Sequence, residues 1–443
     1  MNLDDKLITG ELIYTLFSNR LAGGWLVGGD GTAASESANQ KLTELTQSSP
    51  NFITIATTDA TEFIATLMAG LRLGIPIFLC NPHWGQVEWD RVAHLTAQVD
   101  VHQHQNMLMI PTGGSSGSIE FAIHTWKTLS ASVWGFQEFY EVSKINAVCT
   151  LPLYHVSGLM QLWRSLLTDG RLLIINFQQL CQSVDLVASQ IDLNHYFISL
   201  VPTQLSKLLE LDSDWLRQFK TILLGGAPPN IELLTRARIA KLPLALTYGM
   251  TETGSQITSL KPVEFLAGNN SCGRVLPHAM IQLRSSTDGA RLIVIKSQSL
   301  MLGYFPNLGP LTYFESDDLG SCDVNSYLTI LGRNSGKIIT GGENVFPIEV
   351  VNAIMATGLV ADIWVIGLPD RYWGQVVVAI YVTNNRPSSG AILARAIVGK
   401  IGNYKIPKYW IPVIQIPRNP LGKILIQKVI EIAETEVAKI SMD

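Results

Sequence analysis

The chain has 443 residues, of which 47% are hydrophobic and 15% are charged, and its formal net charge is −4. The high apolar fraction predicts a large buried core. The small negative net charge argues against a protein that binds nucleic acid or anionic membranes through a basic face. No uncharged run is a continuous apolar span, so a transmembrane segment is not expected. The N-terminus lacks an apolar signal region, and five widely spaced cysteines without a CxxC pair indicate reduced thiols; both predict a cytoplasmic protein.

Short apolar runs alternate with amphipathic segments from about residue 50 onward. Residues 52–56 predict a strand, and Asp59 with Glu62 three positions later predicts the start of a helix that ends at Gly74. The alternation then continues, with strands predicted at 75–80, 147–151, 172–175, 196–201, 221–224 and 244–247 and helices beginning near 158, 203 and 230. Buried strands separated by helices are typical of largely parallel sheets.

The pattern changes after residue 272. Turn residues separate short alternating runs over 272–330, which predicts a small antiparallel unit, and a final α+β segment begins near Arg333. The predicted fold is therefore mixed α/β, with stacked, mostly parallel sheets and helices in a large N-terminal domain, residues 1–332. A small α+β C-terminal domain is predicted over residues 333–443. Neither the fold nor the composition indicates an oligomeric state, so a homo-oligomer stays open.

Two segments combine glycine with hydroxyl or acidic residues. Residues 112–118 read Thr-Gly-Gly-Ser-Ser-Gly-Ser after an apolar run, and such a loop can wrap backbone N–H groups around an anion, although a flexible surface loop fits equally well. It matches neither the Walker A nor the GxGxxG pattern. Residues 247–253 follow a strand end, where Thr251 and Glu252 could bind Mg²⁺ and phosphate and Tyr248 could stack on a purine. A core tyrosine before a helix cap is the alternative.

Two further segments lie nearer the C-terminus. Gly332-Arg333 is followed by Gly341-Gly342, a tight loop that permits close backbone approach, or else an ordinary hairpin turn before a helix near Pro347. Lys423 lies on a Pro- and Gly-bounded loop and could present an ammonium group to a phosphate, although a lone lysine is more often solvated.

The order of these motifs resembles the acyl-adenylate-forming superfamily over residues 50–430. Residues 151–159 (LPLYHVSGL), 162–164 (LWR), 199–205 (SLVPTQL) and 223–228 (LLGGAP) resemble, more narrowly, the 2-succinylbenzoate–CoA ligases of the menaquinone and phylloquinone pathway. The resemblance implies an enzyme that uses ATP, Mg²⁺ and coenzyme A on a small carboxylic acid. It also implies a C-terminal domain that moves between two half-reactions.

The resemblance assigns each motif a role. The residues implied to bind ATP are Thr112, Gly113, Gly114, Ser115, Ser116 and Gly117 at the phosphates, Gly226, Ala227, Tyr248 and Gly249 at adenine, and Asp318 and Arg333 at the ribose. Thr251 and Glu252 are implied to act in catalysis with Lys423, and Glu252 to hold the metal. Gly341 and Gly342 are implied to line the coenzyme A tunnel. Asp318 belongs to an acidic stretch, residues 316–320, that is expected to form a turn.

The acid pocket is predicted from the substrate that the narrower resemblance implies. Succinylbenzoate carries a second carboxylate that does not react, and a buried carboxylate needs a cation or several donors. Arg164 is the candidate cation, with His155, Ser157 and Ser271 as donors. A solvated helix face for Arg164 and a core histidine at His155 are the alternatives.

The sequence departs from the superfamily at Trp126, where a second histidine often follows His124, and at two further places. Glu120 stands where relatives usually carry a lysine after the glycine loop, and residues 334–336 (Asn-Ser-Gly) lack the acid that usually follows Arg333. Three other functions remain open: a ligase for another acyl or aryl acid, an enzyme that loads a carrier-protein thiol, and a non-catalytic nucleotide-binding relative.

Overall fold

The computed structural model describes residues 9–29, 31–113, 119–182, 184–211, 214–285, 291–309, 311–384, 389–418 and 424–440. Among these residues no helix is both long enough and apolar enough to cross a bilayer. The mixed α/β class predicted from the sequence is confirmed, because parallel and antiparallel sheets alternate with helices along the chain.

The first sheet has four strands and ends in a hairpin. Its strands are β1 (Ile53–Ile55), β2 (Ile77–Leu79), β3 (Leu108–Gly113) and β4 (Ile119–His124), and its helices are α1 (Gly10–Ala22), α2 (Gly31–Ser48), α3 (Ala60–Leu73) and α4 (Gln86–Thr96). The strands β1, β2 and β3 are parallel, whereas β4 returns antiparallel to β3. The predicted helix ends are confirmed at α3, where the Asp59 side chain accepts from the Glu62 amide and Gly74 is left-handed.

The second sheet has seven strands in the order β11-β10-β9-β8-β7-β5-β6. Its strands are β5 (Asn146–Cys149), β6 (Leu172–Ile174), β7 (Tyr196–Leu200), β8 (Thr221–Leu224), β9 (Leu244–Met250), β10 (Ser255–Ser259) and β11 (Arg274–Val275). Its helices are α5 (Trp126–Tyr140), α6 (Val156–Leu167), α7 (Phe177–Gln182), α8 (Val184–Gln190), α9 (Pro202–Leu211), α10 (Ile231–Ile239) and α11 (Pro262–Leu266). Strands β5 to β9 are parallel, so their carboxyl ends share one edge, where ligands bind in open α/β sheets.

The remaining chain forms two smaller sheets. An antiparallel meander contains β12 (Ala279–Ser285), β13 (Arg291–Ser297), β14 (Phe314–Cys322) and β15 (Leu328–Arg333). The last sheet contains β16 (Ile338–Thr340), β17 (Glu343–Val345), β18 (Val360–Asp370), β19 (Gly374–Thr383) and β20 (Tyr409–Pro412), with α12 (Pro347–Met355), α13 (Gly390–Ile397) and α14 (Ile426–Ile440) against it. The antiparallel unit expected over residues 272–330 is thus present. The last sheet is covered on both faces by its own hydrophobic clusters, which are separate from those of the other sheets.

Candidate active site

The loops after β8 and β9 leave the second sheet side by side. Leu224 in β8 lies opposite Leu246 in the parallel strand β9, so the loop with Gly226 and Ala227 begins next to Thr247. The Thr247 hydroxyl donates to the Leu224 carbonyl at 3.1 Å. Gly226 has a φ of +80° and both loop residues are exposed, which leaves their backbone accessible at the sheet edge.

Tyr248, Asp318 and Arg333 form one cluster beside this edge. The Tyr248 hydroxyl donates to the Asp318 carboxylate at 2.8 Å, and Arg333 Nε lies 3.5 Å from the same carboxylate. Burial, together with the charge of Asp318, raises the pKa of Tyr248 well above its usual value. Three residues that the sequence assigned to the nucleoside therefore come together from three different strands.

The expectation of a turn around Asp318 was wrong. The segment lies inside the strand β14, and Asp318 pairs with Arg333 across the ladder to β15. Three polar residues in a row suggest a turn by their propensity, but paired backbone groups on the neighbouring strands hold the segment extended.

Thr251 and Glu252 lie in a single 3₁₀ turn between β9 and β10. A Cβ on Gly249, just before this turn, would lie 2.2 Å from the Ser255 carbonyl oxygen, so the hairpin closes only with glycine there. The turn is also tied to the first sheet, because His124 Nε2 at the end of β4 donates to the Thr251 carbonyl at 2.7 Å. Burial lowers the pKa of His124 to about 4, so the ring is neutral at pH 7.

Tyr304 is a contact of the site that sequence reasoning missed. Its hydroxyl donates to Glu252 Oε1 at 2.7 Å. Burial raises the pKa of Tyr304, and the carboxylates of Glu252 and, to a smaller extent, Glu120 raise it further. The Gly303-Tyr304 pair after a short apolar run was the available signal, but it gave no indication of a partner about 50 residues away.

Thr112 and Gly113 end the strand β3 directly opposite Glu120 and Ile119 in β4. Thr112 is buried and Glu120 is partly buried. Glu120 lies two residues before Ala122 in β4, and Ala122 pairs with Tyr304, so the Glu120 side chain lies on the same face of the strand as this pair. The other predicted phosphate-binding residues, Gly114, Ser115, Ser116 and Gly117, lie outside the described residues.

Arg164 is a buried cation on α6, not a residue of a solvated helix face. The residue is 3% exposed, and its guanidinium donates to Ser255 Oγ at 3.2 Å and lies 4.3 Å from the centre of the Phe136 ring. Within the described part of the chain, no carboxylate forms an ion pair with it and Nε has no acceptor. Burial lowers its pKa to about 10, so it stays protonated at neutral pH. A buried charge without a counter-ion is costly and is typical of a site that receives an anion.

The three proposed donors relate differently to Arg164. Ser157 lies on the same face of α6, two turns earlier, and is exposed, while His155 occupies the N-cap of that helix with its ring 4.7 Å from the Tyr154 ring. The structure does not bring Ser271 to this place. Its hydroxyl accepts from the Gly273 amide at the Ser259 end of β10, whereas Arg164 contacts the Ser255 end. A buried histidine that the sequence did not single out, His278, lies near Arg164, and burial followed by the Arg164 charge lowers its pKa to about 4.

Gly341 and Gly342 form the turn between β16 and β17, with φ of +58° and +83°. The Gly341 amide donates to the Trp373 carbonyl at 2.9 Å, and a Cβ on Gly341 would lie 2.8 Å from the Trp373 ring. Both glycines line an open groove of about 760 Å³ that includes Lys337 and Tyr372. The hairpin before a helix at Pro347 is therefore present. The remaining predicted catalytic residue, Lys423, lies outside the described residues.

Comparison with known proteins decides the family. The model of the AMP-binding enzyme family matches residues 85–305, and that of the AMP-binding enzyme C-terminal domain matches residues 349–423. A 2-succinylbenzoate–CoA ligase of Lactococcus lactis is 30% identical over 335 residues, which are 75% of this chain and 72% of the relative. The chain belongs to the AMP-binding enzyme family. Similar ligases of Bacillus licheniformis and Listeria innocua are 30% and 31% identical, and the matches span 67% and 66% of their lengths, about two thirds.

Several solved structures share the fold. The o-succinylbenzoate CoA synthetase of Bacillus subtilis in complex with its acyl-adenylate OSB-AMP has a TM-score of 0.80 at 23% identity, covering 94% of this chain and 97% of the other. The same protein with ATP and magnesium has a TM-score of 0.79 at 23% identity, covering 92% and 98%. A fatty acyl CoA synthetase of Mycobacterium tuberculosis also matches, with a TM-score of 0.68 at 21% identity over 96% and 98%. The fold is thus shared by enzymes named for different acids.

Proposed function

We propose that the chain ligates 2-succinylbenzoate to coenzyme A through an acyl-adenylate, with AMP and diphosphate as the other products, in menaquinone or phylloquinone biosynthesis in the cytoplasm. The curated relatives carry this activity in their names. The observation that carries the choice of acid is Arg164, a buried cation that meets no carboxylate among the described residues. A second carboxylate on the substrate would supply the missing anion.

The residues at the sheet edge suit adenylation. The attacking carboxylate and the α-phosphate are both anions, so positioning and charge neutralisation dominate the barrier. Thr251 and Glu252 offer a hydroxyl and a carboxylate to Mg²⁺, which supplies positive charge to the phosphates when it is bound. Tyr248, with Gly226, Ala227 and Gly249, would contact adenine, and Asp318 with Arg333 would bind the ribose.

Thioester formation would use the C-terminal part of the chain. After adenylation, residues 333–443 would rotate against residues 1–332. This rotation would withdraw Lys423 from the phosphates and bring the Gly341–Gly342 turn to the adenylate. The thiol of coenzyme A then attacks the adenylate carbonyl, and AMP leaves. The open groove at this turn, with Lys337 beside it, supports a role in binding an anionic co-substrate.

Diphosphate release with ATP and Mg²⁺, with and without coenzyme A, tests the proposal. The acids are 2-succinylbenzoate, 4-oxo-4-phenylbutanoate (the same molecule without the ring carboxylate), benzoate, coumarate and a medium-chain fatty acid. We expect preference for 2-succinylbenzoate and a coenzyme A thioester as product. Preference for another acid would make the chain a different acyl- or aryl-CoA ligase, adenylate without thioester would favour a carrier-protein thiol, and inactivity with every acid would favour a non-catalytic relative.

Arg164→Met tests the choice of acid directly. Loss of a buried partner for a charge costs about 2–5 kcal/mol, so kcat/KM for 2-succinylbenzoate should fall by about 100-fold or more. The value for 4-oxo-4-phenylbutanoate should change little, because that acid has no ring carboxylate. Arg171→Met, the same change at an exposed arginine, is the control. Equal losses for both acids would contradict the role of Arg164.

A further inference from the structure

The contact between Tyr304 and Glu252 is built from the backbone upward. Residues 302–305 run along the free edge of β4: the Leu302 amide donates to the Ile123 carbonyl and the Phe305 amide to the Phe121 carbonyl, both at 2.8 Å. Tyr304 therefore projects from a paired segment, not from a free loop. Its hydroxyl reaches Glu252 Oε1 at 2.7 Å.

The turn that carries Glu252 is fixed equally firmly. Three consecutive carbonyls of this turn accept hydrogen bonds from outside it: Thr251 from His124 Nε2 at 2.7 Å, Glu252 from the Met301 amide at 2.9 Å, and Thr253 from Ser299 Oγ at 2.7 Å. Two of the donors, Ser299 and Met301, belong to the segment that leads into Tyr304. The backbone and the side chain of Glu252 are therefore held by the same stretch of chain.

A tyrosine hydroxyl can donate one hydrogen bond, and that of Tyr304 is accepted by the Glu252 carboxylate. We infer that Tyr304 is a positioning residue: its hydroxyl holds Glu252 Oε1 and so orients Oε2 toward the divalent cation that accompanies the triphosphate. The inference rests on the proposed ATP-dependent function. Outer partners of metal-binding carboxylates restrict the orientation of the ligand, and losing them typically lowers metal affinity about 10–100-fold.

The chain contains a matched tyrosine–glutamate pair away from the site. The Tyr327 hydroxyl donates to Oε1 of Glu264 in α11, also at 2.7 Å. Removing that hydroxyl deletes the same kind of hydrogen bond without touching the Thr251–Glu252 turn. Tyr327→Phe therefore controls for any general loss of stability.

The test is the Mg²⁺ dependence of nucleotide binding in the full-length chain. The probe is α,β-methylene-ATP, which cannot release diphosphate, titrated at a series of Mg²⁺ concentrations. Tyr304→Phe should raise the Mg²⁺ concentration for half-maximal binding about tenfold, whereas Tyr327→Phe should leave it unchanged. Melting temperatures and far-UV circular dichroism establish that each variant is folded.

A second variant separates positioning from packing. Glu252→Gln keeps an acceptor for Tyr304 but removes the metal-binding charge, so adding Tyr304→Phe to it should change the Mg²⁺ dependence less than twofold. Unchanged Mg²⁺ dependence in folded Tyr304→Phe, or a full tenfold effect in the Glu252→Gln background, would overturn the inference. Failure of the unaltered chain to bind the nucleotide with Mg²⁺ would instead overturn the proposed function.

Discussion

Glu120 places a negative charge shortly after the predicted phosphate loop, where related enzymes usually have a positive one. Acyl-adenylate-forming enzymes usually carry a lysine at this position, and here a carboxylate stands two residues before Ala122, the partner of Tyr304, whose hydroxyl contacts Glu252. The carboxylates of Glu120 and Glu252 would both repel a triphosphate bound at the proposed site, and Mg²⁺ would offset that repulsion. With the proposed function, Glu120 would therefore make nucleotide binding depend more strongly on Mg²⁺.

Replacing Glu120 with Gln should strengthen the binding of MgATP. Removing one partly screened charge near the phosphates is worth about 1 kcal/mol, so KM for MgATP should fall about fivefold, with a larger fall at low Mg²⁺. Steady-state diphosphate release at several Mg²⁺ concentrations measures the effect. Glu138→Gln on the exposed face of α5 is the control. An unchanged KM would mean that Glu120 does not act on the phosphates.

At the scale of elements, the segment after β15 is bound by a carboxylate from the neighbouring strand. Residues 334–336 contain no carboxylate, yet Asp317 in β14 supplies one from the neighbouring strand. The Asp317 carbonyl accepts from the Asn334 amide at 2.7 Å, and its carboxylate accepts from the Ser335 amide at 3.0 Å and from the Ser335 hydroxyl. The start of the predicted C-terminal domain is thus held to the antiparallel sheet.

Replacing Asp317 with Ala should release this segment. The lost contacts to a partly exposed carboxylate are worth about 1 kcal/mol, so amide hydrogen exchange over residues 333–337 should accelerate about fivefold. Asp323→Ala is the matched control, because Asp323 caps a different turn through the Asn325 and Tyr327 amides. If protection at 333–337 survived in Asp317→Ala, the backbone bond to Asn334 would be sufficient to hold the segment.

Local signals in the sequence predicted the elements well where neighbouring residues decide the structure. Asp59 and Asn230 each accept from an amide three residues later at the start of a helix, and Pro347 occupies the first turn of α12. The turn expected around Asp318 failed because its strand conformation depends on pairing with β13 and β15. Propensity carries no information about such partners.

At the scale of the whole molecule, the same limit applies to the candidate site. The sequence identified Tyr248, Asp318 and Arg333 through a resemblance of motifs, and the fold brings their side chains together. It could not identify Tyr304 or His278, since their neighbours Glu252 and Arg164 lie about 50 and 110 residues away in the chain. Nor could it show that Ser271 lies near the Ser259 end of β10 while Arg164 contacts the Ser255 end.

The proposed rotation of residues 333–443 between the two half-reactions is tested most sharply at Lys423. If its ammonium stabilises charge on the phosphates during adenylation, Lys423→Ala should lower the rate of diphosphate release by at least about 100-fold. Thioester formation from supplied acyl-adenylate should stay within about twofold, because Lys423 would have left the site by then. Lys428→Ala, an exposed lysine on α14, should affect neither step. Equal loss of both half-reactions in Lys423→Ala would mean that Lys423 contributes to folding or to AMP binding and not to adenylation alone. The main chemical argument for a rotation of residues 333–443 would then fail.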